Sequence, residues 1–471
     1  MKKLKLLLLS LLCACGLANA ASTTSNNPNF LFIFVDDQGL DGTPVEVIPG
    51  KDYSRTANYK MPNLERIASQ GIIFSQAYAA HPKCEGSRAA YQMGRSTVTL
   101  NAIDKWHVNW SAPISDSIAN TLKRANPAYR AAHFGKWQWP QTPEQMGYDA
   151  SDGITMNEDG DTSDPLDPKQ SFGITRRAQD YMDKQVKEGH PFYLQLSYYA
   201  PHSKPQALAS TLKNYTGPTA LMSAMTEDLD TCIGVLLKKL DQLGIAKNTY
   251  VIYMSDNGMK TKSLKGEKAV LDEGGLRVPL IVSGPGITAK AYTSVPVISY
   301  DMMPTIIDFA APGFAMPKGI EGGSWKSVLL NSGKGEVKRP IDHMIWHHDV
   351  EVPHPQTAIR NNEYKLMYYW DTKEVFLYDI NNDALEANNI AKTKPAVADA
   401  LLAQLKTHVR TSLGEEKFAS LESGKFGDES KGGAGMGAGT GTTGMAAGME
   451  ASGMAAGGMA AGGMAAVTTA N

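Results

Sequence analysis

The sequence predicts an α/β protein in which a large, mostly parallel sheet lies between helices and is followed by a small antiparallel sheet with one helix. Continuous apolar runs recur through the first part of the chain, and such runs suit strands buried on both faces. Segments with helical spacing separate them, an alternation that favours a parallel sheet. Near residue 340 the pattern gives way to short strands divided by turn residues.

The chain opens with Met1-Lys2-Lys3-Leu4-Lys5 and the apolar run Leu6 to Leu12, a basic n-region and short h-region that predict a secretory signal over residues 1–20. The run is too short to span a membrane. Two exits stay open, cleavage after Ala18-Asn19-Ala20 or a lipid anchor at Cys15 in the box Leu12-Cys13-Ala14-Cys15, and either gives a periplasmic or secreted protein. A catalytic domain is expected over 21–340. Within it, Asn29–Val35 is an unbroken apolar strand ending in Asp36-Asp37, and Gly71–Phe74, Arg130–Phe134, Pro191–Ser197 and Thr249–Ser255 also read as strands. Pro62–Ala68 and Ser117–Lys123 have helical spacing, and Cys232 reads as a buried helical thiol. A small subdomain over 341–425 comprises the strands Thr357–Arg360, Tyr364–Tyr369 and Val375–Tyr378 and a helix over Val397–Val409. Residues 426–471 form a Gly/Ala/Met-rich tail whose glycine density forbids a packed core and predicts disorder.

The 471 residues carry a formal charge of -2, which becomes -5 when the three leader lysines go and 43 basic side chains face 48 acidic ones. Such a surface has no long-range pull on nucleic acid or anionic substrates, so any bound anion needs a local cationic pocket. Loss of the leader leaves only Cys84 and Cys232, too few for a disulfide framework.

In sheets of this kind function collects in the loops beyond the strand carboxyl ends. Asp36, His202 and Asp256 each follow a predicted strand at that end, so three distant stretches converge on one crevice. Asp36, Asp37, Asp256 and Asn257 offer only oxygens, which suits Ca²⁺ or Mg²⁺ rather than zinc. Calcium is the expected ion, because magnesium tends to keep its waters. Arg88, Lys136, His202 and Lys268 supply the cations that a tetrahedral anion needs. Lys136 ends a strand that aims it at the crevice, whereas Lys262, Lys265 and Lys268 all precede Glu273-Gly274-Gly275-Leu276-Arg277-Val278-Pro279.

The ordered set Asp36-Asp37, Cys84-Glu85-Gly86-Ser87-Arg88, Gly135-Lys136-Trp137, Ala200-Pro201-His202, Ser255-Asp256-Asn257-Gly258 and Glu273-Gly274-Gly275-Leu276-Arg277 resembles the formylglycine-dependent sulfatases of the alkaline phosphatase superfamily over residues 29 to about 410. Tyr300-Asp301-Met302-Met303-Pro304-Thr305 and Tyr378-Asp379 are similar to further family segments. The resemblance implies an alkaline-phosphatase-like fold and a bacterial polysaccharide sulfatase. It also implies oxidation of Cys84 to formylglycine by a sulfatase-maturating or formylglycine-generating enzyme, with the modified Cys84 joining the metal ligands. Among the three lysines it selects Lys268, with Lys265 as second choice. The hydrated aldehyde would attack sulfur, and its second hydroxyl would expel sulfate from a covalent intermediate. Asp37 or a neighbouring carboxylate would serve as base, His202 would clamp the sulfate or protonate the leaving oxygen, and Lys136 and Lys268 would balance the oxyanion charge.

This chain departs from the family at two positions. Gly86 stands where Pro or Ala is usual, and Gln138 stands where Gly-Lys-Trp-His has histidine. Glutamine can hydrogen-bond a substrate but cannot deliver a proton, which leaves acid catalysis to His202, Lys268, His133 or His107. A sulfated glycan is the expected substrate, with His347, His348 and Arg360 as contacts near the domain junction, and Trp106, His107 and Trp110 read as core aromatics, with a stacking platform as the alternative. Two rival readings remain at this point: a phosphonate monoester or phosphodiester hydrolase using the same aldehyde, and a non-catalytic binder of sulfated glycans.

Overall fold

The computed structural model describes residues 27–100, 113–349 and 352–425. The leader with Cys15, the residues Trp106, His107 and Trp110, and the 426–471 tail lie outside the described residues. Among the described residues fourteen strands occur in chain order: β1 (Asn29–Val35), β2 (Gly71–Phe74), β3 (Ala77–Tyr78), β4 (Arg130–Gly135), β5 (Ala150–Ser151), β6 (Phe192–Ser197), β7 (Thr249–Ser255), β8 (Leu280–Ser283), β9 (Ala291–Thr293), β10 (Val297–Ile298), β11 (Met344–His348), β12 (Gln356–Arg360), β13 (Tyr364–Tyr369) and β14 (Val375–Asp379). The large sheet has eight strands in the order β5-β4-β6-β1-β7-β8-β2-β9. Only β8 runs against the others. This is the mixed, mostly parallel sheet that the sequence predicts.

Its centre follows from the composition of β1. Side chains alternate across a strand, so Phe30, Phe32 and Phe34 face one layer while Leu31, Ile33 and Val35 face the other. The aromatic face packs with Ile118 and Leu122 of the helix Ile118–Ala125 and with Ile306 of the helix Met302–Ala310. The aliphatic face packs with Leu64, Ile174 and Leu229, from the helices Pro62–Ser69, Ser171–Glu188 and Ala220–Gln242. Cys232 is fully buried in the last of these helices.

The small sheet is antiparallel, ordered β11-β12-β13-β14. Met344, Trp346, Ala358 and Met367 share a core with Tyr78, Ala90 and Leu276, so it packs against the segments that follow β2 and β7. The strand β11 was not anticipated, because its residues Met344-Ile345-Trp346-His347-His348 mix apolar and imidazole groups. The final helix is longer than the sequence suggests, Pro395–Ser423, and Gly414 breaks its regular geometry at φ 82°. The second half is held by Phe418, whose ring meets Trp370 at 5.9 Å. Among the described residues no helix is long and apolar enough to cross a membrane.

Candidate active site

The parallel strands β4, β6, β1 and β7 are neighbours and end at one edge of the sheet. Lys136 follows β4, the loop to His202 follows β6, Asp36 and Asp37 follow β1, and Asp256 and Asn257 follow β7. Cys84 enters from another direction, as the first residue of the helix Cys84–Met93. Because β8 returns antiparallel beside β7, the 256–279 connection stays at this edge and brings Lys268 with it.

The side chains form paired charges around a buried thiol. Cys84 Sγ lies 3.3 Å from Asp36 Oδ1, 3.7 Å from Asp37 Oδ1 and 3.3 Å from Lys268 Nζ. Lys136 Nζ donates to Asp36 Oδ2 at 2.5 Å, and Lys268 Nζ donates to Asp37 at 2.6 and 2.7 Å. Arg88 donates to Asp256 Oδ2 through Nε at 3.1 Å and Nη2 at 2.8 Å, and to the Lys136 carbonyl at 2.8 Å. Asn257 Nδ2 donates to Asp37 Oδ1 at 2.8 Å. His202 Nε2 is 3.5 Å from Asp37 Oδ2, at the less buried side of the cluster.

The electrostatics follow from burial and pairing. Burial raises the Asp36 carboxyl, but Lys136 and Arg88 outweigh it and hold the group below its usual value. Burial also raises Asp37, and Lys268 reverses the balance. The Cys84 thiol is pushed well up, first by burial and then by the Asp256 and Asp36 carboxylates. An unmodified Cys84 is therefore a poor nucleophile, since the reactive form is the thiolate.

Several of these side chains are placed to hold a divalent cation. Ligand atoms of Asp36, Asp37, Cys84 and His202 lie within 4.8 Å of one another. Asn257 Oδ1 is buried without a hydrogen-bond partner, an oxygen that an ion would satisfy.

Other expected contacts stand elsewhere. Lys265 pairs with Asp272 at 3.0 Å and donates to Tyr378 Oη at 2.9 Å, leaving Lys268 as the lysine at Cys84. Gln138 adopts φ 55° and donates through Nε2 to Asn157 Oδ1 at 3.2 Å, while its Oε1 is buried and unpartnered. His133 is enclosed beside Ser197 Oγ at 3.0 Å, and burial with Arg88 nearby lowers it to about 3. A group held neutral there has no proton to deliver. The expectation of substrate contact is corrected for Arg360, which is fully buried with its guanidinium on Tyr78 Oη, Gln76 Oε1 and the Asn361 carbonyl. It is corrected likewise for His347, buried with Nδ1 2.6 Å from Thr357 Oγ1, and for His348, buried with its ring edge-on to His81 at 4.7 Å. The strands Met344–His348 and Gln356–Arg360, which carry all three residues, are buried along their whole length. His81 itself, three residues before Cys84, was missed; the only signal for it is the small residue at position 86.

Residues 28–312 match the model of the family described as Sulfatase, and 266–413 match that described as N-sulphoglucosamine sulphohydrolase, C-terminal. An ulvan-active sulfatase of Formosa agariphila is 23% identical over 72% of this chain and 73% of its own. A second sulfatase of that organism is 26% identical, over 84% and 91% respectively. Among solved structures, Ps i-CgsB in complex with k-i-k-neocarrahexaose superposes with a TM-score of 0.69 at 23% identity, covering 81% of this chain and 93% of that one, which extends the likeness to the alkaline-phosphatase-like fold. The chain belongs to the sulfatase family, and it is a sulfuric ester hydrolase.

Proposed function

We propose that this sulfatase removes sulfate from a sulfated polysaccharide or oligosaccharide, using formylglycine made from Cys84 and a calcium ion. The observation that carries the reading is the position of Cys84 Sγ between Lys268 Nζ and Asp36 Oδ1, each 3.3 Å away. The glycan class rests on the ulvan-active relative and on the oligosaccharide bound by the structural neighbour. Asp36, Asp37, Asp256 and Asn257 would hold the ion, together with the side chain at position 84. When present, the hydrated aldehyde supplies the nucleophilic oxygen and the ion supplies Lewis acidity.

Every other role falls to this chain's side chains. Arg88 clamps Asp256 with two hydrogen bonds and keeps its carboxylate fixed. Lys136 and Lys268 stand ready to balance charge on the sulfate oxygens. Asp37 accepts a proton from the group at position 84. His202 is the acid for the leaving oxygen, since Gln138 cannot donate a proton and His133 is enclosed. The leader-like residues 1–20 support export, and a maturating enzyme is the required partner.

The test is turnover of an aryl sulfate against an aryl phosphodiester, after co-expression with a maturase, alongside peptide mass spectrometry across Cys84. Sulfate release with an aldehyde at position 84 is expected. A Cys84 that stays a thiol in active protein, or faster phosphodiester turnover, would overturn the reading.

A further inference from the structure

We infer that His81 is a positioning residue for the turn that presents Cys84, and that Gly86 is the residue its imidazole requires. The inference deepens the proposed reading, in which position 84 performs the chemistry.

Gly86 lies in the helix Cys84–Met93 and is not among the residues with positive φ. Backbone conformation therefore does not call for glycine. A glycine inside a helix costs about 1 kcal/mol relative to alanine, so another demand must offset it, and the demand is space. A Cβ at position 86 would stand 2.5 Å from both Cγ and Nδ1 of His81 and 3.0 Å from its Cβ.

The ring is confined on its other sides. His81 is 6% exposed, its ring meets His348 of β11 edge-on at 4.7 Å, and its Nδ1 accepts from the Lys83 backbone N–H at 3.1 Å. That last bond shapes the residues leading into Cys84, since Lys83 is the helix N-cap. A methyl at position 86 must displace either the imidazole, and with it the Lys83 turn, or the start of the helix. Both movements disturb the 3.3 Å contacts of Cys84 and the grip of Arg88 on Asp256. Gly86 thus answers to the folded site rather than to the enzyme that modifies Cys84.

The test is a double-mutant cycle in the full chain with Gly86→Ala, His81→Ala and the pair. In unconverted protein, Gly86→Ala should lower the melting midpoint by several degrees in the wild-type background, and with His81→Ala it should leave the midpoint unchanged or raise it by alanine's better helix propensity. In the fully converted fraction, Gly86→Ala should lower kcat by on the order of 10²-fold with little change in KM, because displacement of a reacting group costs rate. The double variant should recover kcat to the level of His81→Ala alone. A peptide spanning residues 78–92 with Gly86→Ala should be oxidised by the maturase at least as fast as the native peptide.

Equal destabilisation by Gly86→Ala in both backgrounds, or a maturase that prefers the native peptide while folded protein tolerates alanine, would overturn the inference. If Gly86→Ala does not fold, His81→Ala and the double variant must both fold, with the double variant melting no lower than His81→Ala. The melting cycle needs neither conversion nor turnover. A coupled cycle without sulfate release would remove the functional reading and leave this one standing.

Discussion

Cys84 shows how little a single residue determines without its neighbours. Burial and two carboxylates raise its thiol pKa, which closes the ordinary route to cysteine nucleophilicity and accords with the proposed modification of the side chain. The lysines around it differ by position, not type. Lys268 touches Cys84 and Asp37, whereas Lys265 is spent on Asp272 and Tyr378. Lys268→Ala is therefore expected to lower kcat of converted enzyme by about 10²–10³-fold, the usual loss for one oxyanion donor. Lys265→Ala should change it several-fold at most, and steady-state kinetics on one aryl sulfate compares them. Asp36, Lys136 and Asp256 were legible because each follows a readable strand, whereas Arg88 was legible only through the Cys84–Arg88 motif, since its helix was not read from the sequence. His81 was not legible, because its effect on Gly86 is steric and appears only when the two segments pack.

At the level of elements, the join between the two sheets is a buried charge network rather than a binding surface. Lys365 of β13 lies 3.0 Å from Glu273 and 2.9 Å from Glu386, all fully enclosed, and Glu273 also meets Arg277 at 3.2 Å. Removing one partner of a buried pair leaves an uncompensated charge, so Lys365→Ala should destabilise by about 3–5 kcal/mol in denaturant unfolding. Burial raises the Glu386 carboxyl to about 7 from 4.5. The folded form then binds the proton more tightly than the unfolded chain. This contribution is complete below pH 4.5 and is lost as pH rises through 7. Glu386→Gln should flatten the fall in stability between pH 6.5 and 8, above the range in which the buried histidines act, and an unchanged slope there would show that Glu386 is not its source. The strands β1, β6 and β7 were readable from their apolar runs alone. The direction of β8, the existence of β11 and the extension of the last helix past Gly414 were not, since each depends on a partner distant in sequence.

For the whole molecule, ion binding and acid stability are the measurable consequences. An ion bound only by the folded state stabilises it by mass action, about 2.7 kcal/mol at a hundredfold excess over Kd. Calcium should therefore raise the melting midpoint and a chelator reverse it, while Asp36→Asn with Asp37→Asn should abolish the shift. On the acid side, burial holds His81 at about 4 and His133 at about 3, below the ordinary 6.5. Both are kept neutral by folding, so their contribution is present above pH 6.5 and is lost as pH falls toward those values. The midpoint should decline steadily from pH 6.5 to 4.5, and a flat profile would contradict the buried neutral histidines. Apolar periodicity and short motifs are local properties, so the α/β class, the strand ends that carry the aspartates and the chemical type of the site could be read along the chain. Packing between distant segments was needed to show that His347, His348 and Arg360 are core and that Gly86 makes room for His81. Those outcomes depend on which distant side chains compete for the same buried space and charge.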